Sequence, residues 1–172
     1  LVQDAKRHGV EVRAVDVSCD GWVLAAAGDG VYLWDRDTSM ERPFVCSLSG
    51  HRSPVQAASF SPSGTEVLTR SLDGTARLWD RAGNCLLVLY GGGTTVARAR
   101  IAEPATHVLA LCNDSACWVY DADARSVGAF DEVYDAACSA YRLVVVGRGG
   151  IDFLDLATMR GPHVAADPAG TE

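Results

Sequence analysis

A histidine, a serine and an aspartate in the middle of the chain could perform nucleophilic chemistry. His51, Ser71 and Asp73 are the residue types of a hydrolytic triad, in which histidine takes a proton from serine and a carboxylate orients the histidine. A nucleophilic serine also needs an exposed turn of the G-x-S-x-G kind and donors that stabilise an oxyanion. The segment from Arg70 to Gly74, RSLDG, contains no such turn. We therefore predict no catalytic residue and no enzymatic activity.

Two further groups of residues have types that occur in ligand sites. Cys112 and Cys117 flank a predicted hairpin turn, but a structural zinc site needs four ligands, and no second Cys or His pair follows. The glycines at 91–93 lack the Lys-Ser/Thr pair that follows the glycines of a phosphate-binding loop. The sequence therefore predicts no metal site and no cofactor.

The composition is that of an acidic, folded domain. Of the 172 residues, 48% are hydrophobic and 22% are charged, which is ordinary for a globular protein. The net charge of −7 argues against nucleic acid as a partner, because a phosphate backbone calls for a basic face. No apolar run approaches the roughly 20 residues of a membrane-spanning helix, so we expect no membrane insertion. Six cysteines without a C-x-x-C pair predict a reducing, cytoplasmic setting.

An internal repeat supplies the elements that must position these residues. Residues 55–80 and 96–121 align without a gap, and 12–35 and 133–155 match the same frame less completely. Each unit ends in two apolar residues and an aspartate, as in Leu78-Trp79-Asp80. Period-two patterns and turn signals predict strands at 55–60, 66–70, 75–79 and 85–90 of the second unit. Four antiparallel strands in each of four units predict an all-β fold, a β-propeller.

The second unit resembles one complete WD repeat of the β-transducin type. The resemblance rests on Gly50-His51, Val55–Phe60, Ser61-Pro62-Ser63-Gly64, Ser71-x-Asp73-Gly74-Thr75 and Leu78-Trp79-Asp80. It implies four blades of four antiparallel strands, part of a larger ring of seven or eight blades. The corresponding units are about 8–48, 51–90, 92–129 and 130–164, with 1–5 as an outer strand of a preceding or closing blade and 165–172 as a polar tail.

The resemblance also implies a structural role for the histidine and its neighbours. In this family a buried series of hydrogen bonds runs from the turn aspartate to His, from His to Ser or Thr, and from that hydroxyl to the Trp N–H. In the second unit this relay comprises His51, Ser71, Asp73 and Trp79. Parts of it recur elsewhere: His8, Asp29 and Trp34 in the first unit, where Ala27 replaces the hydroxyl, and Asp114 in the third.

Protein or peptide partners are implied at the propeller edge that carries the turn aspartates. By position, the residues at this edge are Gly28, Leu72, Asn113 and Arg148, with Arg52 beside them. Trp22 and Trp118 replace residues that are polar in the second unit. Exposed aromatic residues are enriched at protein interfaces, so both are further candidates, with ordinary packing between blades as the alternative.

These observations predict a non-enzymatic scaffold for protein–protein interactions in a multi-protein assembly. The alternative is a sensory or autoinhibitory propeller domain of a larger signalling protein, such as an NTPase. How the propeller is completed stays open, since a blade cannot bury its own faces. We favour further blades outside this chain, because Leu1–Ala5 matches an outer strand. The other completions are a second copy of the chain, or a four-bladed ring closed by Leu1–Ala5, with Met159–Val164 as the fourth unit's outer-strand candidate.

Overall fold

Fifteen strands joined by turns make up the regular structure of the chain. The computed structural model describes residues 11–35, 44–91, 95–102, 107–113, 116–121, 123, 125–139 and 142–156. The strands are β1 (Val12–Val17), β2 (Val23–Ala27), β3 (Gly30–Trp34), β4 (Phe44–Leu48), β5 (Val55–Phe60), β6 (Glu66–Ser71), β7 (Thr75–Asp80), β8 (Cys85–Tyr90), β9 (Val96–Ala102), β10 (His107–Cys112), β11 (Cys117–Asp121), β12 (Ser126–Phe130), β13 (Val133–Ser139), β14 (Arg142–Gly147) and β15 (Gly150–Asp155). Within these ranges there is no helix long and apolar enough to span a membrane.

The strands form four antiparallel sheets, each built from consecutive strands. The first three have four strands each, in the orders β1-β2-β3-β4, β5-β6-β7-β8 and β12-β11-β10-β9, and the fourth has the order β13-β14-β15. The prediction of an all-β fold with four-stranded antiparallel blades is confirmed by the first three sheets. The outer-strand candidates Leu1–Ala5 and Met159–Val164 lie outside the described residues.

Turn chemistry explains why the strands of the second sheet begin and end where they do. Gly64, Gly74 and Gly83 have φ values of 76°, 84° and 92°, a left-handed conformation that glycine adopts without the clash of a Cβ atom. Each of these glycines lies in a tight turn that joins two neighbouring strands. Between the turns, side chains alternate between the two sides of the sheet, so that Val67 pairs with Trp79 and Leu68 with Leu78.

The chain divides into two compact units, Leu1–Val88 and Leu89–Glu172. The core of the first unit joins the first two sheets, with fully buried side chains that include Leu24, Leu33, Val55, Val67 and Trp79. The core of the second unit joins the third and fourth sheets, with Cys117, Val119, Leu143 and Val145 among its buried members. In each unit, therefore, apolar side chains between neighbouring sheets provide the main stabilisation.

Candidate functional site

A buried series of hydrogen bonds crosses the second sheet from its edge to its interior. His51 Nδ1 lies 2.9 Å from Asp73 Oδ2, and His51 Nε2 lies 2.7 Å from Thr69 Oγ1. Trp79 Nε1 donates to the same Thr69 oxygen at 2.9 Å. The histidine side chain is 1% exposed and the aspartate side chain 6%, so the network is shielded from water.

The hydroxyl in this network belongs to Thr69, which corrects the prediction of Ser71. Ser71 Oγ instead donates to the Ser53 carbonyl at 2.7 Å and accepts the Asp73 N–H at 3.1 Å. The physical reason is the register, because Trp79 pairs with Val67 and Thr69 is the diagonal neighbour that an indole can reach. Ser71 lies four residues beyond Val67, about 13 Å along the strand.

The hydrogen-bond partners determine the protonation states of the network. The Asp73 carboxylate accepts from His51 Nδ1–H, so Nε2 accepts from the Thr69 hydroxyl. Burial lowers the pKa of His51 below its ordinary value of 6.5, although Asp73 acts in the opposite direction. Burial alone would raise the pKa of Asp73, but hydrogen bonds from Thr75, the Arg52 N–H and His51 hold it well below its ordinary range. A neutral histidine beside an ionised aspartate therefore satisfies every member.

The other sheets carry apolar residues where the second sheet has Thr69. By strand register, this position is taken by Ala25 in β2, Ala110 in β10 and Val145 in β14. Asp29 is exposed and Trp34 is partly exposed, in contrast to Asp73 and Trp79. His8 and Asp114 lie outside the described residues. In the part of the chain that the structure describes, the complete network therefore occurs in the second sheet.

The same network braces the sheet edge that carries Leu72 and Arg52. Asp73 Oδ2 accepts the Arg52 N–H at 2.9 Å, while Asp73 Oδ1 accepts the N–H and the hydroxyl of Thr75 at 2.9 and 2.7 Å. The Leu72 N–H donates to the Pro54 carbonyl at 3.1 Å. The loop at 51–54 and the turn at 71–75 are thus tied together, and they present an exposed Arg52 and a Leu72 that is 53% exposed.

The remaining edge candidates occupy related positions with different chemistry. The N–H groups of Asn113 and Arg148 each donate, at 3.2 Å, to the residue that precedes the first strand of their own sheet, as the Leu72 N–H does. Both side chains are exposed, and Arg148 forms an ion pair with Glu132. Gly28 is half-buried, and its carbonyl accepts the Val55 N–H of the neighbouring sheet. These positions, each on its own sheet, therefore differ in chemistry from one sheet to the next.

Trp22 contributes to packing between the first two sheets. Its ring packs against the core of the first unit, and the Arg81 guanidinium lies 4.8 Å from the ring centroid. Arg81 also donates to both carboxylate oxygens of Asp20 at 2.7 Å and to the Gly64 carbonyl at 2.5 Å. The sequence did not predict this cluster, because Asp20 and Arg81 are 61 residues apart. Trp118 is partly buried and pairs with Ala110 and Ala129.

The described residues contain no group of three or more His, Cys, Asp or Glu side chains that could hold a metal ion. All six cysteines are free thiols, with Cys112 and Cys117 buried. Burial and the neighbouring thiols raise the pKa of Cys117 to about 12, which makes its thiol unreactive. The chemistry that the described side chains present is therefore that of packing and recognition.

Comparison with known proteins places the second sheet in a defined repeat family. The family model described as WD domain, G-beta repeat matches residues 42–80. The chain is 35% identical over 91 residues to WD repeat-containing protein 1 of Xenopus tropicalis and 40% identical over 91 residues to actin-interacting protein 1 of Drosophila melanogaster; each match covers 52% of this chain and 15% of the relative. It is 33% identical over 98 residues to THO complex subunit 6 of Arabidopsis thaliana, which covers 55% of this chain and 26% of that protein. The matched segments thus span only a minor part of these relatives.

Proposed function

We propose that this chain, a WD-repeat protein, is a non-enzymatic scaffold that binds other proteins or peptides within a multi-protein assembly. The observation that carries the proposal is the hydrogen bonding at the edge of the second sheet, where Asp73 accepts the Arg52 N–H and the Pro54 carbonyl accepts the Leu72 N–H. These bonds fix the backbone at both exposed residues. Side chains on a rigid backbone lose less conformational freedom on binding. Rigid display of a few anchors is the mechanism of recognition that we infer.

The two anchors offer complementary contacts to a partner. Leu72 is 53% exposed and supplies apolar area. Arg52 is exposed and supplies guanidinium donors, which suit a carboxylate or a backbone carbonyl. Arginine is enriched among the residues that dominate binding energy at protein interfaces. A peptide that carries an apolar side chain next to an acceptor is therefore the partner chemistry that fits this edge.

A non-enzymatic role is supported by the state of the polar network. His51 and Thr69 are buried, and each is hydrogen-bonded within the sheet. A substrate would have to open the sheet to reach the Thr69 hydroxyl. The Arabidopsis relative is named as a subunit of a complex, which supports a role in an assembly for this chain as well.

The experiment is quantitative affinity capture with matched variants. The immobilised chain, a variant with Arg52→Glu and Leu72→Asp, and a Leu86→Asp control are incubated with extract of the protein's own cells, and recovered proteins are quantified by mass spectrometry. Leu86 is 46% exposed on β8, so it controls for the loss of an exposed apolar side chain. We expect a defined set of proteins whose recovery falls at least tenfold only in the double variant. Equal recovery with all three proteins would overturn the proposal.

We further infer a reducing, intracellular location. The support is six free cysteines in a chain of 172 residues, since proteins of oxidising compartments commonly pair their thiols. The test is to isolate the protein under rapid alkylation and to map its cysteines by mass spectrometry. Alkylation of all six thiols is expected, and a native disulfide would contradict the inference.

A further inference from the structure

An arginine of the second sheet has a guanidinium that the sheet leaves partly unsatisfied. Arg77 lies on β7, and its guanidinium carbon is 5.9 Å from the centre of the Trp79 ring. Its Nε is buried and has no hydrogen-bond partner among the described residues. The ring face attracts the positive charge, but it does not replace the acceptors that guanidinium donors need in their own plane. Buried polar atoms without a partner are uncommon in folded proteins, so this one needs an explanation.

The Arg77 guanidinium lies against the loop that carries Arg52. A Cβ atom at Gly50 would lie 2.7 Å from Arg77 Nη1, so a larger residue at Gly50 would force the guanidinium to move. Gly50 is exposed and Arg77 is only half-buried, which places the outer part of the guanidinium near the surface. Arg52 follows Gly50 by two residues, which span at most about 7 Å, and Arg52 is exposed. Both guanidinium groups can therefore reach one ligand beside this loop.

Within the described parts of the chain, neither Arg52 nor Arg77 has a carboxylate partner, although the sequence has 22 acidic and 15 basic residues. Five other described arginines do form ion pairs with carboxylates: Arg13, Arg81, Arg98, Arg125 and Arg148. Asp73 lies close to the loop, but its oxygens accept from His51, from the Arg52 N–H and from Thr75. The two positive charges beside Gly50 are therefore available to an anionic group from outside the sheet.

We propose that Arg52 and Arg77 together bind a carboxylate side chain of the partner polypeptide, next to the apolar contact that Leu72 makes. Because the contact lies at the edge already proposed to bind peptides, it rests on the proposed function and names the chemistry of the partner there. The two oxygens of a carboxylate match the planar donors of a guanidinium, and their charge offsets the cost of removing Arg77 from water. A backbone carbonyl would supply an acceptor but no charge. We therefore expect an aspartate or glutamate beside an apolar residue in the partner.

The first test is selection from a random library of acetylated, amidated peptides, in which only aspartate and glutamate supply carboxylates. The immobilised chain is incubated with the library, and the composition of the bound peptides is compared with that of the input by mass spectrometry. We expect the bound peptides to be enriched in aspartate or glutamate beside an apolar residue. Bound peptides without this enrichment would overturn the inference about the carboxylate and leave the scaffold proposal standing. If no peptide binds, the inference is overturned as well, and the scaffold proposal is then judged by the capture of whole proteins described above.

The second test measures the affinity of the most enriched peptide for matched variants by fluorescence polarisation. Arg52→Gln and Arg77→Gln should each weaken binding by about tenfold, as the loss of a hydrogen bond to a charged group would. The control is Arg142→Gln, which removes an exposed arginine of β14 and should leave the affinity unchanged. An equal loss in all three variants would mean that only the overall charge matters, and it would overturn the proposal.

Two further readouts separate recognition from a role in folding. Replacing the acidic residue of the peptide by its amide should weaken binding to the parent chain, but it should cause no further loss with Arg77→Gln, because the two groups contact each other. Since the Arg77 Nε has no acceptor in the sheet, Arg77→Gln should keep a melting temperature close to that of the parent. A clearly lower melting temperature together with additive losses of affinity would show that Arg77 supports the fold and does not bind the carboxylate.

Discussion

At the residue scale, the identity of the central hydroxyl makes a quantitative prediction. Thr69→Val removes the partner of two buried groups, His51 Nε2 and Trp79 Nε1. It should lower the free energy of unfolding by about 2–6 kcal/mol, since each buried group left unsatisfied costs about 1–3 kcal/mol. The measurement is a double-mutant cycle by urea denaturation with Trp79→Phe, in which Thr69→Val should couple by at least about 0.5 kcal/mol. Ser71→Ala should show no coupling to Trp79→Phe. Coupling at Ser71 in place of Thr69 would contradict the geometry.

The buried histidine also predicts a dependence of stability on pH. Because burial lowers the pKa of His51 in the folded protein, the unfolded chain takes up its proton first as the pH falls. The contribution of the neutral His51 network to folding stability is fully present above the histidine pKa of the unfolded chain, about 6.5. It is lost as the pH falls below that value. Thermal melts between pH 8 and pH 5 should therefore show the melting temperature of the parent protein falling more steeply with decreasing pH than that of His51→Gln. Parallel curves would mean that His51 keeps an ordinary pKa.

The same residues show how far sequence reasoning reaches at this scale. The predicted contacts of His51 with Asp73 and the burial of Trp79 are present, because their types and spacing carry a family pattern. The choice between Thr69 and Ser71 was not available from that pattern, because a period of two places both on one side of the strand. The strand register decides it, since Trp79 pairs with Val67 and only the nearer hydroxyl lies within reach.

At the element scale, the strands of the second sheet could be predicted to within one residue. The turn glycines explain this success, since Gly64, Gly74 and Gly83 take positive φ where the chain reverses. Contacts between sheets were not predictable in the same way. Asp20 and Arg81 belong to separate sheets, and the local sequence around neither residue indicates their bidentate ion pair.

That pair predicts that arginine cannot be replaced by lysine at position 81. Arg81 contacts Asp20, the Gly64 carbonyl and the face of Trp22, and a lysine lacks the planar fork that allows all three. Arg81→Lys should therefore lower the melting temperature more than Asp20→Asn, although it keeps the charge. The comparison is made by calorimetry at low and high salt, because only the ionic part is screened. A larger loss in Asp20→Asn would show that the charge pair outweighs the stacking and the carbonyl bond.

At the scale of the whole molecule, the internal repeat predicts an all-β fold of antiparallel sheets. The repeat does not predict which surfaces of those sheets are exposed. Repeats specify what each sheet needs for its own core, and the same apolar positions are buried in one sheet and exposed in another. Leu33 and Phe153 occupy the same register position, yet they are 0% and 77% exposed. Exposure depends on what lies against each sheet, and a single sequence does not encode that in its local pattern.

The two units also predict an order of unfolding. In the first unit, the contacts of Arg81 and the buried hydrogen-bond network add to the apolar core. In the second, the ion pair of Arg98 with Asp135 joins the two sheets, but both side chains are more than half exposed, and such pairs contribute little. We therefore expect the second unit to open at lower urea concentration.

Cysteine labelling measures this order directly. Cys19 and Cys85 are exposed and should react at once in the native protein. Cys46 of the first unit is partly exposed and Cys117 of the second is buried, and burial raises the pKa of both thiols. The labelling rate of each should therefore rise steeply as its unit opens. Pulsed alkylation across a urea series, read by mass spectrometry, should show Cys117 modified at lower urea than Cys46. Coincident midpoints would mean that the four sheets unfold as one cooperative structure. The reverse order would mean that the polar contacts of the first unit contribute less to stability than the apolar core of the second.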